Sequence, residues 1–404
     1  MEHTARAQVR AWLDKAERQG ASYGGASHTM SQTPTTVAVL FNHVGEDEYE
    51  QIRQVDPATL SFEPEYDIHV ATIMEEYRAV ARGLRRAGCR VRLVNIRDDV
   101  TVLQRLLRGT PRPDVIFNLV EHYRDDPEHE AHIAGVLDVH GIPYTGAAPF
   151  VLSLLRRKGL TKHLLLANGV PTPRYRILSE PRIPRRHGLH YPLIVKPSRE
   201  DASAGVSRES VVWDHASLLE QVRFVAQEFG PPTLVEEFIE GRELHAAVWG
   251  NDPPEMLPII EFDFSDLPPD QPNIISFDAK WNPLKEEFHR VFTVCPARLS
   301  RRAQRRVERA ALAAYRVTGC RDYARLDLRL TPDDHPFVLE VNPNPDLTEG
   351  VSFMESTEKA GYAFADALRL IVEMALARTP VPPPSPQPPA RRLAVLPPRR
   401  LPQG

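Results

Sequence analysis

Cysteine is scarce in this chain, and long apolar runs and an excess of charge of either sign are absent. Among 404 residues there are three cysteines, Cys89, Cys295 and Cys320, whose wide spacing matches neither a zinc site nor a disulfide framework. The sequence therefore predicts three reduced thiols in a cytoplasmic protein. The length is sufficient for two or three domains with a large core.

The charge balance is close to neutral. Lys and Arg total 50 and Asp and Glu total 54, which gives a net charge of −4 at pH 7. Without a basic surplus or interleaved aromatic residues, nucleic acid is not an expected partner. The N-terminus is polar and no uncharged stretch reaches transmembrane length, so neither a signal segment nor a membrane partner is expected.

The patterns along the chain predict three domains between two appendages. Residues 1–34 are expected to be a flexible extension, and residues 379–404, crowded with Pro and Arg, a disordered tail. Residues 35–149 alternate strand-length apolar runs with helical periodicity, which is typical of an α/β domain with a parallel sheet. Residues 150–240 predict a small α+β domain, and residues 241–378 a mixed domain.

Two stretches near the C-terminal end alternate polar and apolar residues. Residues two apart in a strand share a face, so Arg325 and Asp327 point one way from the first stretch, and Glu340 and Asn342 from the second. Residues 331–336 suit a connecting turn. The opposite face of this hairpin is expected to pack four apolar residues, Leu326, Leu328, Leu339 and Val341.

The polar face of the predicted hairpin combines a guanidinium, two carboxylates and an amide. Carboxylate and amide oxygens are ligands that Mg²⁺ takes, with phosphates and water completing its octahedron. An adjacent arginine suits an oxyanion. The hairpin therefore predicts a Mg-nucleotide site, although the solvated face of an exposed strand shows the same alternation.

Six stretches in order resemble the ATP-grasp ligases, and within them the D-alanine–D-alanine ligase branch. These stretches are residues 141–146, 158–162, 191–197, 235–243, 324–327 and 339–345. The resemblance covers about residues 36–375. It implies a three-domain ATP-grasp fold, α/β and α+β, with an N-terminal parallel-sheet domain. It also implies small-molecule carboxylate and amine substrates, an acyl phosphate made from ATP, and a homodimer.

The resemblance assigns phosphate binding to two lysines and a loop. Lys158, within a helix expected over 151–168, and Lys196, on an apolar strand, match lysines that hold nucleotide phosphate. The loop at 200–206, which includes Ser203, would close its backbone N–H groups over the phosphates. Without the resemblance, Lys196 would be a surface lysine with a buried stem, and the loop an ordinary turn.

A second group of residues is assigned to the nucleoside. Residues 236–239 resemble the linker that binds adenine, through the carboxylate of Glu236 and the backbones of Phe238 and Ile239. Glu243 would take the ribose hydroxyls. By themselves, glutamates at these positions are more often solvated charges.

The catalytic and metal assignments fall on the hairpin and on a mobile loop. Asp327, Glu340 and Asn342 match the family's magnesium ligands, with Glu340 bridging two ions; Mn²⁺ is an alternative metal. Arg325 would stabilise the tetrahedral oxyanion when an amine attacks the acyl phosphate. Lys280 matches a lysine on the lid that covers the transferred phosphate, the alternative being an exposed loop lysine.

The substrate half departs from the family's pattern. Residues 41–48 lack the family's Gly-rich start with its glutamate, and residues 118–123 stand where a His-Gly pair is usual. Residues 346–351 replace the segment that grips the second substrate's carboxylate. Asp346 and Glu349 would repel a carboxylate there, which predicts an amine substrate that is cationic or lacks that group.

Glu121 and His122 are candidates for the carboxylate-substrate side, and surface charges on a shifted loop are the alternative. Four functions remain: a carboxylate–amine ligase acting on an amino acid or small peptide, D-alanine–D-alanine ligase itself, a nucleotide-binding regulator without catalysis, and a phosphotransferase sharing the fold. The altered substrate segments count against the second, and the full set of charged site residues counts against the third.

Overall fold

The structure is a computed structural model that describes residues 34–45, 71–200 and 203–378, together with residues 50, 52, 60 and 62. The predicted appendages therefore lie outside the described residues, apart from position 34. Three sheets organise the described chain. The domain boundaries given above stay predictions.

The first sheet consists of three parallel strands in the order β2–β1–β3. Its strands are β1 (Thr36–Phe41), β2 (Arg90–Asn95) and β3 (Val115–Asn118). Its helices are α1 (Ile73–Arg86), α2 (Val100–Arg108) and α3 (His129–Val139). Helix α1 begins where Thr72 and Glu75 form a capping box, which satisfies amide groups that the first turn leaves without partners. The predicted parallel sheet is confirmed.

The single helix expected over 151–168 is wrong, because the structure has two helices there. They are α4 (Pro149–Leu155) and α5 (Lys158–Ala167). Arg157 leaves helical geometry with φ −92° and ψ 79°. The amide of Lys158 then donates to the carbonyl of Ser198 at 3.2 Å. The break makes Lys158 the first residue of a new helix beside the second sheet.

The second sheet is antiparallel, in the order β4–β7–β5–β6. Its strands are β4 (Tyr175–Leu178), β5 (Leu193–Pro197), β6 (Val211–Val212) and β7 (Thr233–Glu237). Helix α6 (His215–Glu228), capped by Asp214, packs on one face against Leu193 and Val195. Because side chains alternate along β5, Ile194 and Lys196 point to the opposite face.

The third sheet has the order β11–β10–β8–β12–β13, with β9 paired to β8. Its strands are β8 (Arg242–Trp249), β9 (Glu255–Met256), β10 (Ile260–Asp263), β11 (Phe292–Val294), β12 (Tyr323–Leu330) and β13 (Pro336–Asn342). The accompanying helices are α7 (Phe277–Trp281), α8 (Glu286–Arg290), α9 (Arg301–Thr318), α10 (Ser352–Lys359) and α11 (Phe364–Ala377). The predicted polar hairpin is present as the antiparallel pair β12–β13.

One residue of the hairpin lies on the unexpected face. The pairing register shifts between Asp327 and Leu328, so that Asp327 opposes Glu340 but Leu328 opposes Val338. Such a bulge adds a residue to one strand and changes the direction of the side chains. Val338 is fully buried in the core, whereas Leu339 lines a cleft on the polar side. The expectation that Leu339 packs with Leu326 and Leu328 is therefore wrong.

None of the helices in the described part of the chain has both the length and the apolar character that crossing a bilayer requires.

Candidate active site

The second and third sheets face each other across a cleft with about 810 Å³ of free space up to its open mouth. Two of the predicted site residues, Arg325 and Asn342, are not among its lining residues. The other ten all line it: Lys158, Lys196, Ser203, Glu236, Phe238, Ile239, Glu243, Lys280, Asp327 and Glu340. Residues from α5, β5, β7, β12 and β13 therefore meet in one place.

Two carboxylates lie side by side on the hairpin, each held by a cation. Asp327 and Glu340 are direct partners on neighbouring strands. Arg325 donates from Nε and Nη2 to Oδ1 and Oδ2 of Asp327, at 2.7 and 2.9 Å. Lys158 donates from Nζ to Oε2 of Glu340 at 2.6 Å. The paired geometry of Arg325 is the strong, directional form of such a contact.

Both carboxylates are ionised. Burial opposes the charge on Asp327, but Arg325 and His245 outweigh it and hold the pKa of that carboxyl well below its usual range. Burial likewise opposes the charge on Glu340, and Lys158 outweighs it, so that its pKa is also lowered. Two adjacent ionised carboxylates at the cleft form a site that attracts a cation.

This donor set suits a divalent cation bound together with phosphate. Asp327 and Glu340 offer hard carboxylate oxygens, and the side-chain oxygen of Asn342 accepts the amide of Asn344 at 2.9 Å while keeping a second lone pair. Among the residues that the structure describes, no group of three or more His, Cys, Asp or Glu could enclose a metal by itself. A hard cation here therefore needs oxygens from a ligand or from water.

A buried triad of charges lies where the predicted adenine linker begins. Glu236, 1% exposed, meets Lys196 through Oε1 and Lys162 through Oε2, the latter at 2.7 Å. Lys162 also donates to Oγ1 of Thr172 at 2.8 Å. Burial lowers the pKa of Lys162 to about 8. Burial opposes the charge on Glu236, but the two lysines outweigh it and lower its pKa to about 2.

Lys162 was missing from the predicted site, although the sequence contains its signal. It follows Lys158 by four residues on α5, a spacing that places two helical side chains on one face. The carboxylate oxygens of Glu236 already face ammonium groups, so a contact with an adenine amine would have to share them. The predicted role of Glu236 at adenine stays a prediction.

The linker after β7 offers backbone groups to a ligand. The amide of Phe238 donates to the carbonyl of Pro192 at 2.9 Å, which leaves it unavailable to a base. Ile239 lies beyond the strand and lines the cleft. Of the two backbones predicted to contact adenine, that of Ile239 is therefore the one whose amide can bind a ring nitrogen.

The segment predicted to be the lid is fastened to the loop that is predicted to bind phosphate. The amide of Phe277, in α7, donates to the carbonyl of Val206 at 2.9 Å, and Glu287 pairs with Arg208. The ammonium of Lys280 lies 5.0 Å from the centre of the Trp281 ring. Burial and Arg325 lower the pKa of Lys280 to about 8, against the opposing pull of Asp327 and Glu340. Lys280 thus interacts electrostatically with the hairpin carboxylates.

Replacing Lys280 by Met is expected to lower kcat about 100-fold, because removing one preorganised group that stabilises developing charge has an effect of this size. The Kd for ATP should change little, because Lys158 and Lys196, the two lysines predicted to bind phosphate, remain. Lys285→Met is the matched control, since Lys285 is exposed in the turn between α7 and α8. Stopped-flow turnover and calorimetric nucleotide binding give the two quantities. Equal losses of turnover in both variants would contradict a special role for Lys280.

The predicted substrate residues separate into two groups. Asp346 interacts electrostatically with Lys280 and Arg325, and its Oδ1 accepts the amide of Thr348 at 2.8 Å. Glu349 is exposed. Glu121 and His122 follow β3, in the first sheet's domain, and neither lines the cleft. Of these four residues, the structure therefore brings only Asp346 near Lys280 and Arg325.

Two further polar residues on the same sheet face were missed. His245, on β8, is the direct strand partner of Asp327, with Nε2 3.4 Å from Oδ1. Its Nδ1 lies 3.0 Å from Oγ of Ser352. Arg329 follows Asp327 by two residues on β12 and lines the cleft. The period-2 alternation that predicted Arg325 and Asp327 also applied to Arg329.

Comparison with known proteins links this arrangement to one family. The family model described as "D-ala D-ala ligase C-terminus" matches residues 164–373. An uncharacterized protein, y4sG of Sinorhizobium fredii, is 31% identical over 279 residues, covering 68% of this chain and 80% of that protein. A D-alanine–D-alanine ligase of Desulforudis audaxviator is 32% identical over 307 residues, covering 74% and 92% of the two chains.

A solved structure shares the fold. The crystal structure of D-alanine–D-alanine ligase from Bacillus anthracis complexed with ATP aligns with a TM-score of 0.63 and 20% sequence identity. The alignment covers 85% of this chain and 97% of that one. The three-sheet arrangement is therefore the ATP-grasp fold. The chain belongs to the D-alanine–D-alanine ligase family, whose members are ATP-dependent, ADP-forming ligases.

Proposed function

We propose that this chain joins a carboxylate to an amine through an acyl phosphate, and that its substrates are an amino acid or small peptide rather than two D-alanines. The observation that carries the reaction type is the ionised pair Asp327 and Glu340 in a cleft with Lys158, Lys196 and Lys280. Such a cluster suits a bound triphosphate and a divalent cation.

The reaction has two steps. An oxygen of the substrate carboxylate forms a bond to the γ-phosphorus of ATP, and the bond from that phosphorus to the β–γ bridging oxygen breaks, which releases ADP. The amine nitrogen then bonds to the acyl carbon, phosphate leaves with its oxygen, and the amine loses a proton to solvent. The products are an amide, ADP and phosphate.

The chain's own residues have distinct tasks. Asp327, Glu340 and Asn342 would hold Mg²⁺, or Mn²⁺ as the alternative metal. Two ions are proposed, with Glu340 as a ligand of both. The metal would neutralise charge on the β- and γ-phosphates. Lys158 and Lys196 hold phosphate oxygens. Arg325, beside these ligands, stabilises the oxyanion formed when the amine attacks.

The lid and the linker complete the site. Lys280 reaches the hairpin from α7, which is fastened over the phosphate loop that includes Ser203, and this closure excludes water from a hydrolysable intermediate. Ile239 binds adenine through its backbone amide and Phe238 through its backbone carbonyl, and Glu243 binds the ribose. Cytoplasmic location and homodimer formation stay predictions from the sequence.

The amine substrate is cationic or lacks a carboxylate at the attacking end. Asp346 supports this, because an acidic side chain near Arg325 and Lys280 disfavours a second anion and favours a cation. D-alanine–D-alanine ligase activity is the second candidate. It is favoured by relatives of that name that are 30–34% identical to this chain.

The decisive experiment measures Mg²⁺-dependent ADP release against single amino acids and paired mixtures, with mass spectrometry of the products. A condensed mass from a pair other than two D-alanines supports the proposal. A D-Ala–D-Ala mass establishes the second candidate instead. ADP release with a phosphorylated product and no amide would show a phosphotransferase and overturn both.

Asp346→Asn is expected to lower kcat/KM for a cationic amine about tenfold or more, because a hydrogen bond to a charged group contributes roughly 1.5–3 kcal/mol. The amide side chain can still accept the amide of Thr348, so the local turn is retained. The exposed Glu349 gives the matched control, Glu349→Gln. Steady-state measurement of kcat/KM, on pairs of amine substrates that differ only in the presence of a carboxylate, tests this prediction. If the variant keeps the same preference between the two amines as the unaltered protein, Asp346 does not contribute to the amine site.

A further inference from the structure

Arg329 is a buried cation in the cleft that none of the assigned roles uses. Its side chain extends from β12 on the same face as Asp327, and the residue is 2% exposed. Transferring a guanidinium out of water costs several kcal/mol unless charge and hydrogen bonds compensate. The groups that compensate the buried charge of Arg329 therefore show which segments this residue holds in place.

The guanidinium joins the predicted adenine linker to the segment that leads into the lid. Nη1 donates to the carbonyl of Gly241 at 3.0 Å, two residues beyond the linker at 236–239. Nη2 donates to the carbonyl of Asn273, three residues before Ser276, which caps α7. The guanidinium carbon lies 4.8 Å from the centre of the Phe238 ring, a cation–π contact with the linker itself.

Its charge is balanced by the residue assigned to ribose. Glu243 is the direct partner of Arg329 on β8, and Nε lies 3.6 Å from Oε2 of Glu243. Within the described part of the chain, no other carboxylate comes within ion-pair distance of Arg329. Burial raises the pKa of Glu243, and Arg329 is the largest opposing influence. Arg329 thus favours the ionised, acceptor-only form of Glu243.

A vicinal diol is the ligand that this arrangement suits. An ionised carboxylate at the cleft accepts two O–H donors, whereas a protonated one offers fewer acceptor sites. Oε2 of Glu243 is directed to Arg329, and Glu243 is one of the residues that line the cleft. The planar fork of arginine can hold a carboxylate and two carbonyls at once, which a lysine ammonium, as a compact point charge, does not reproduce.

We propose that Arg329 is a positioning residue that makes the site selective for a ribose over a 2′-deoxyribose nucleotide, by fixing Glu243 and tying the linker to the segment before the lid. The inference rests on the proposed function, in which Glu243 binds the ribose. Arg329 acts through Glu243 and the two carbonyls, and it is not assigned a contact with the reacting atoms.

The test measures binding rather than turnover. Titration calorimetry with Mg²⁺ gives the Kd for ATP and for 2′-deoxy-ATP on the full chain. The unaltered protein is expected to bind ATP at least about tenfold more tightly than 2′-deoxy-ATP. In Arg329→Lys the ratio of the two Kd values should fall close to one, mainly through weaker binding of ATP, and Glu243→Gln should lower the ratio in the same way.

Arg306→Lys is the matched control. Arg306 also donates to backbone carbonyls, those of Asp333 and Asp334, but it lies on α9 and does not line the cleft. Its substitution should leave both Kd values unchanged. If Arg329→Lys does not fold, Arg329→Gln, which keeps two N–H donors and removes the charge, tests the same ratio.

The outcomes separate the inference from the function on which it rests. A ratio in the Arg329 variants equal to that of the unaltered protein overturns the inference and leaves the ligase proposal intact. Equal affinity of the unaltered protein for the two nucleotides also overturns it. Failure of the unaltered protein to bind any ATP overturns the proposed function together with the inference.

Discussion

Asp327→Asn and Glu340→Gln are each expected to lower Mg²⁺-dependent ADP release by about 10²- to 10³-fold. The metal supplies several kcal/mol of charge stabilisation in reactions of this kind, and about 1.4 kcal/mol corresponds to a factor of ten in rate. Each amide keeps the shape of the side chain but removes the negative charge that attracts the cation. The loss should be partly recovered at high metal concentration, because weaker binding can be compensated by mass action.

The hairpin also provides the control for this prediction. Asp333 lies in the turn between β12 and β13, where its carboxylate contacts Thr331 and His335 at the surface. Asp333→Asn should keep full activity. Circular dichroism and thermal unfolding of all three variants show whether the fold survives, since Asp327→Asn also deprives the buried Arg325 of its partner. Full activity of a correctly folded Asp327→Asn protein would refute the metal assignment.

Glu236→Gln is expected to lower the free energy of unfolding by about 3–5 kcal/mol, because removing the charge of one member of a buried ionic cluster leaves the others uncompensated. Here two ammonium groups, Lys162 and Lys196, would lose their counter-charge. The neutral amide cannot replace it. Urea denaturation followed by tryptophan fluorescence measures the difference.

The neighbouring residue on β7 is a matched control. Glu237 also pairs with cationic or titratable side chains, Arg174 and His190, but both of these are exposed. Exposed ion pairs contribute only about 0–1 kcal/mol, so Glu237→Gln should be nearly neutral. Similar losses in the two variants would mean that burial does not set the contribution of Glu236.

The same cluster predicts a dependence on pH. The pKa of Glu236 falls from 4.5 to about 2 in the folded protein. A lowered carboxyl pKa stabilises the fold above the unfolded value, and this contribution is lost as pH falls through the folded value. The difference in unfolding free energy between the unaltered protein and Glu236→Gln should therefore shrink between about pH 4.5 and 2. A constant difference over that range would contradict the assignment.

The polar hairpin shows how far local sequence determines this protein. Strands β12 and β13 are joined by a short turn, so their pairing is close in sequence, and the period of two alone places Arg325 and Asp327 on one face with Glu340 and Asn342. The bulge beside Asp327 escaped prediction, because a one-residue shift depends on how both strands fit the whole sheet.

Elements whose patterns are weak in the sequence were missed. Strand β8 is buried on both faces, so Glu243 and His245 stand in an otherwise almost continuous apolar run without a clear alternation. Helix α9, by contrast, has six arginines opposite a buried stripe that consists largely of alanine; this amphipathic pattern was present in the sequence but was overlooked.

The sequence by itself determined the family resemblance, the parallel first sheet and the two-carboxylate face, since these depend on short motifs and on contacts between nearby residues. The tertiary structure decided which charges neutralise one another. The ion pair between Lys162 and Glu236 joins residues 74 positions apart in the sequence. The corresponding separations are 182 positions for Lys158 and Glu340, and 86 for Arg329 and Glu243. Partners so distant along the chain leave no local pattern. The pairing of β8 with β12 brings Glu243 to Arg329, and the position of α5 between the second and third sheets brings its two lysines to Glu236 and Glu340.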